Sequence, residues 1–203
     1  MAASCYAAVM SQKTGEDSKN GFNDVIGIAL LAIALLLLVA QLSVDRYDLA
    51  SVRVPPNREI HNWIGTIGAH LAWCTFLPFG VAAYLLPWIF AAFGVAYLLN
   101  FLGYLRERLR WSLLWTVVLL VSLAGLVHLL DIHNFAGYSR ERIHANSAGG
   151  FVGWFSFKYG FRMLGNLGAT IVYASLGLIS LLFLTNFHLG GWIRVLLQKS
   201  PAA

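Results

Sequence analysis

The chain has 203 residues, 59% of them hydrophobic and only 11% charged, with a mean hydropathy of +0.69. Water-soluble domains carry about a quarter charged residues, so this composition excludes an ordinary soluble globule. The formal charge of +5 does not point to nucleic acid, because no Lys/Arg cluster of footprint size occurs. Basic residues at helix ends serve orientation and headgroup contact instead.

In chain order, residues 1–22 are rich in Ala, Ser, Lys and Asp, lack periodicity, and are expected to form a disordered cytoplasmic tail. The first span is expected over 25–44, with Asn23 or Asp24 as its N-cap and Gln41 hydrated near its far end. Asp45 to Arg58 is a charged, proline-containing loop. From Glu59 to Cys74, Ile60, Trp63, Ile64, Ile67, Leu71 and Cys74 recur at helical steps, which predicts an amphipathic helix on the membrane surface. Pro78 is expected to open the second span, 78–102, and Pro87 to kink it. Gly80, Ala83, Pro87, Ala91 and Gly94 form a small-residue stripe along that span, suited to close backbone approach in lipid.

Arg106, Arg108 and Arg110 make a short basic turn before the third span, 111–130. A polar loop follows, and an aromatic segment from Gly149 to Gly165 is expected to be the second surface helix. The fourth span is placed at 168–187, with Thr170, Ala174 and Gly177 as its packing stripe. Residues 193–203 read as the start of a cytoplasmic linker, which predicts that the natural chain continues.

The glycine spacing of Gly65, Gly68 and Gly80 returns 85 residues later as Gly150, Gly153 and Gly165. The fold expected is therefore an all-α membrane protein: four transmembrane helices as two tandem parallel repeats, each with an outer interfacial amphipathic helix. Lys and Arg divide evenly between the two sides, so the short turn at Arg106, Arg108 and Arg110 decides orientation. That turn and both termini are expected in the cytoplasm.

The residues GIALLAIALLLLVAQLS, then NWIGTIGAHLA, then PFGVAAYLLP resemble the N-terminal four-helix transmembrane domain of the FtsK/SpoIIIE family of DNA translocases, over about 23–192. The resemblance implies a non-catalytic anchor and oligomerisation domain at the division septum of the bacterial inner membrane. It also implies a hexameric full-length assembly, contact with division proteins, and DNA bound only through a motor. No G-x-x-x-x-G-K-[ST] loop occurs in these residues, so ATP and Mg are expected only in a motor domain outside this chain. No cofactor is expected in the chain itself.

No catalytic or metal site is predicted. The six glycines above are assigned to helix packing, and Arg106, Arg108 and Arg110 to topology. Partner contact is expected from the loop residues Asp45, Arg46, Asp48, Arg53, Arg58, Glu59, Asp131, Arg140, Glu141 and Arg142. The competing readings are a four-helix enzyme or electron carrier holding haem or metal at its histidines, and a small transporter. Only His128 lies well inside a span, whereas a transmembrane haem needs His on two helices at matching depth.

Overall fold

The computed structural model describes residues 2–49, 55, 57–99, 108–132 and 147–185. Every regular element among them is helical: α1 (Ala2–Leu42), α2 (Gly65–Phe79), α3 (Leu86–Leu98), α4 (Leu109–Ile132), α5 (Gly150–Ser156) and α6 (Gly165–Thr185). Short turns of tighter or looser helix join them, at Arg46–Asp48, Gly80–Leu85, Phe157–Phe161 and Arg162–Leu164. Four segments are long and apolar enough to cross a bilayer: Gly21–Leu42, Gly65–Leu98, Leu109–Asp131 and Gly150–Thr185. The protein is a membrane protein.

The surface chemistry agrees. Trp63 and Ile67 are each 78% exposed and Met163 98% exposed, an arrangement costly in water and favourable against hydrocarbon. Hydroxyls within the spans are satisfied locally: Thr116, Ser122, Ser175 and Ser180 each donate to the carbonyl four residues earlier, at 2.7–2.8 Å.

The described residues form two compact units. The first comprises the chain up to Ala72 together with Tyr84 through α3; the second comprises Trp73–Ala83 and the described residues from Arg108 on. In the first unit α1 packs on α3. The buried face of α1 is Gly27, Ala34, Leu37 and Ala40, at helical steps. Gly27 and Gly94 face one another, since a Cβ on Gly27 would sit 3.0 Å from the Gly94 carbonyl, and one on Gly94 would meet Leu31 and the Gly27 carbonyl. Small residues let the two backbones meet, which is how helices associate in lipid.

In the second unit α4 carries both α5 and α6. Gly149 and Gly153 press their backbone against the Ala124 carbonyl and the His128 Cβ, and the Tyr173 ring of α6 lies directly over Gly125 of α4. Tyr173 is fully buried, meets the Phe161 ring edge-on at 4.9 Å, and shares a 2.8 Å hydrogen bond with Ser156 Oγ. Trp115 and Phe183 stack at 4.5 Å further along the same helix pair.

Several expectations are corrected. Residues 2–20 continue α1 instead of forming an unstructured tail, so neither Asn23 nor Asp24 caps a helix. Alanine is abundant there and proline absent, so a helix nucleated in the apolar span can propagate back. Gln41 is wholly buried, not hydrated. The helix expected at the membrane surface begins at Gly65, not Glu59; its buried face is Gly68, Ala69, Ala72 and Phe76, and the expected apolar stripe is turned outward or half-buried. Pro78 lies inside α2 near its end, and Pro87 opens α3 rather than kinking a continuous span. Both follow from the break at Gly80, whose φ of 54° ends the helix between them. On α6 the buried line is Ala169, Tyr173, Gly177 and Ser180, while Thr170 and Ala174 are exposed one position round.

Gly125→Ala drives a Cβ into the Tyr173 ring and should cost about 1–3 kcal/mol. Gly160→Ala has nothing within 4 Å of its new methyl and should change stability by less than about 1 kcal/mol. Thermal unfolding of both variants in detergent measures the contrast.

Candidate functional site

Where α1 stops, its last carbonyls need donors, and a side chain just ahead of α2 supplies them. Asn62 Nδ2 donates to the Ala40 carbonyl at 2.9 Å and to the Ser43 carbonyl at 3.4 Å. Its Oδ1 accepts from Ile64 N at 3.0 Å, and its own carbonyl accepts from Gly65 N at 2.8 Å. One buried side chain thus closes the end of α1 and opens α2. Trp63 N completes the join by donating to Ser43 Oγ at 3.2 Å. Gly68 lies so close to Asn62 Oδ1 that a Cβ there would collide with it.

Asp48 holds the approach to this join. The carboxylate accepts from the backbone N–H groups of His61 (3.0 Å) and Asn62 (2.9 Å), and from Asn57 Nδ2 (3.0 Å). Burial by itself would raise its pKa, but the Asn57 amide, the two backbone donors and the His61 ring outweigh it and hold the carboxyl below its ordinary value. Asp45 caps the short turn Arg46–Asp48 by accepting from Tyr47 N at 2.9 Å. His61 Nδ1 stands 3.4 Å from Asp48 Oδ1 and 3.6 Å from Asp45 Oδ2. Ligand atoms of Asp45, Asp48 and His61 lie within 4.8 Å of one another, a spacing a cation could use. The Asn57 amide already serves that space, donating to both carboxylates at 3.0 and 3.5 Å.

The second unit has a comparable join. Ala148 N donates to Asp131 Oδ2 at 3.1 Å, Gly150 N to the Ser147 carbonyl at 2.8 Å, and Ser147 Oγ to the Gly150 carbonyl at 3.0 Å. The break at Gly80 lies against it: Val81 N donates to the Ala148 carbonyl at 2.8 Å, and Cβ atoms on Gly80 and Gly150 would each meet the other's backbone nitrogen at 2.5 Å. Gly65, Gly80, Gly150 and Gly165 all have positive φ, from 54° to 76°, a region that disfavours any side chain. They are the first and third members of the two glycine triplets.

The residues expected at partner surfaces therefore separate. Arg58 and Glu59 are exposed, whereas Asp48 is buried, Asp45 caps a turn and Asp131 accepts a backbone N–H, so these three acids work inside the chain. Arg53, Arg140, Glu141 and Arg142 lie outside the described residues, as does Arg106; Arg108 and Arg110 are exposed at the start of α4, and for Arg46 only the backbone is described. Among the packing residues, Gly80, Ala83, Pro87, Gly94, Gly150, Gly153 and Gly177 are buried and Ala91 half-buried. Gly65 and Gly165 have open space around them and serve conformation instead of contact. Sequence reasoning missed Gly27, Asn57, Gly125 and Tyr173. Asn62 was within its reach, because an Asn just ahead of an apolar helical run is an N-cap signal.

A family model described as the 4TM region of DNA translocase FtsK/SpoIIIE matches residues 19–197. No curated protein and no solved structure matches the chain.

The depressed Asp48 carboxyl stabilises the fold above its unfolded pKa of about 3.9, and that contribution is lost as pH falls through the lower folded value. Unfolding midpoints should accordingly drop below about pH 4. Asp48→Asn should cost about 1–3 kcal/mol at neutral pH, by turning an amide toward donors, and should flatten the acid limb. A pH series of thermal unfolding curves checks both.

Proposed function

Because the chain belongs to the family of the four-transmembrane region of FtsK/SpoIIIE DNA translocases, we propose that it is the membrane anchor and oligomerisation domain of such a translocase. It holds a motor at the division septum and contacts division proteins in cell division and chromosome segregation. The observation that carries this reading is the family match over 19–197, together with four segments able to span a bilayer. ATP and Mg belong to the motor, and DNA is met only there.

The domain is read as two parallel hairpins in the bacterial inner membrane, with both termini and the turn at Arg108 and Arg110 in the cytoplasm. Equivalent backbone features support a repeat: Gly65 N and Gly150 N donate to the carbonyls of Asn62 and Ser147 at 2.8 Å each, 85 positions apart. Arg58 and Glu59, exposed beside the Asp48 join, are the described charged groups available to a partner at that loop. Outward-turned Thr170 and Ala174 offer α6 a small-residue face for a second subunit, in an assembly read as hexameric.

Fused to a fluorescent protein and expressed in dividing bacteria, the chain should concentrate at septa, and Arg58→Ala/Glu59→Ala should lower that enrichment severalfold. Uniform membrane fluorescence of the unaltered chain overturns the anchor reading. Single cysteines in a cysteine-free background give the orientation: Glu59→Cys should react with an impermeant maleimide on intact spheroplasts, and Arg110→Cys only after lysis.

A further inference from the structure

A cleft of about 440 Å³ in the second unit is lined by His128, Trp154, Phe157, Lys158 and Arg162. Its floor comes from α4 through His128, and its wall from the end of α5 and the wide helical turn Phe157–Phe161. Such wide turns recur at functional sites because they displace side chains from the regular helical register. Here Lys158 and Arg162, four residues apart, both line the one cleft. Like charges at this spacing repel, and neither forms an ion pair with a carboxylate among the described residues.

The lining also holds one cation in place and leaves one buried polar atom unpaired among the described residues. Lys158 Nζ lies 4.6 Å from the centre of the Trp154 ring and 5.4 Å from that of Tyr159, which holds the ammonium at the cleft. His128 is 6% exposed, and its Nδ1 has no hydrogen-bond partner among the described residues. The neighbouring apolar surface decides the kind of anion. Phe155, Tyr159, Met163 and Leu164, each next in sequence to a lining residue or one removed, are all exposed, Met163 at 98%. A soluble anion has no use for such a border, whereas acyl chains would lie along it.

We propose that this cleft binds an anionic phospholipid through its phosphate. Arg162 presents its planar fork to two phosphate oxygens, Lys158 supplies the second positive charge from its seat on Trp154, and His128 lines the floor. The volume suits a single headgroup. Lipid bound here would tie α4 to the segment that leads into α6, beyond any part the chain plays as an anchor.

Native mass spectrometry of the full chain in detergent, titrated with phosphatidylglycerol and separately with phosphatidylcholine, tests the site. Phosphatidylglycerol should be retained in preference. Lys158→Gln/Arg162→Gln should weaken its retention about tenfold or more, whereas Lys158→Arg and the remote Arg110→Gln should keep it. Should the double glutamine variant fail to fold by circular dichroism, Arg162→Gln alone carries the same expectation, since that side chain is exposed. Equal retention by wild type and the glutamine variant overturns the proposal, as does an equal loss in Arg110→Gln. Complete displacement of phosphatidylglycerol by millimolar inorganic phosphate would instead identify a site for a soluble anion and overturn it too.

Discussion

Backbone N–H and C=O groups freed where a helix ends cannot turn to water inside a bilayer, so the chain must supply their partners itself. That requirement shapes both units. In the first, Asn62 takes the carbonyls at the end of α1 while Asp48 takes the amides of His61 and Asn62 ahead of α2. In the second, Asp131 takes Ala148 N, and the Ala148 carbonyl takes Val81 N, a donor released by the break at Gly80. Glycine stands at each abrupt change of direction because only glycine adopts a positive φ there without strain.

The same constraint sorts the charged residues. Asp45, Asp48 and Asp131 are committed to turns and helix ends within the chain, while Arg58 and Glu59 are exposed. A domain proposed to hold other things in place needs stiff joints beneath its exposed loops. The buried members of these networks, Asn62 and Asp48, provide that stiffness, since breaking a hydrogen bond to either strands a polar group away from water.

Packing between helices follows a second rule. Lipid tails are as apolar as leucine, so large side chains gain little by turning inward, and close contact depends on small residues. Gly27 against Gly94, Gly125 beneath Tyr173, and Gly153 against Ala124 are the contacts that result. The small-residue stripe that runs onto α3 through Pro87, Ala91 and Gly94 was legible because its members share one helical spacing. Gly27 and Gly125 were not, because each stands alone in an aliphatic run and only its partner on another helix gives it meaning. The face of α6 that packs within the chain lies one position round from the expected stripe for a related reason: Tyr173 looks too large for a tight interface until Gly125 is found facing it.

Hydrophobicity and the lengths of the uncharged runs were enough to establish a helical membrane protein with four spans, since the bilayer imposes those features directly on the order of residues, while the family was legible only through the resemblance of particular motifs. Where each helix ends was a different matter. Pro78 and Glu59 look like helix starts by local propensity and Pro87 like a kink, yet helices start or break at Gly65, Gly80 and Leu86. Those positions are set by the groups that meet the freed backbone, namely Asn62, Asp48 and Ala148, and two of these lie in other parts of the chain. Partners brought together from distant positions are invisible to any local pattern, and so the joins, the buried acids and the cationic cleft emerged only when the chain was folded.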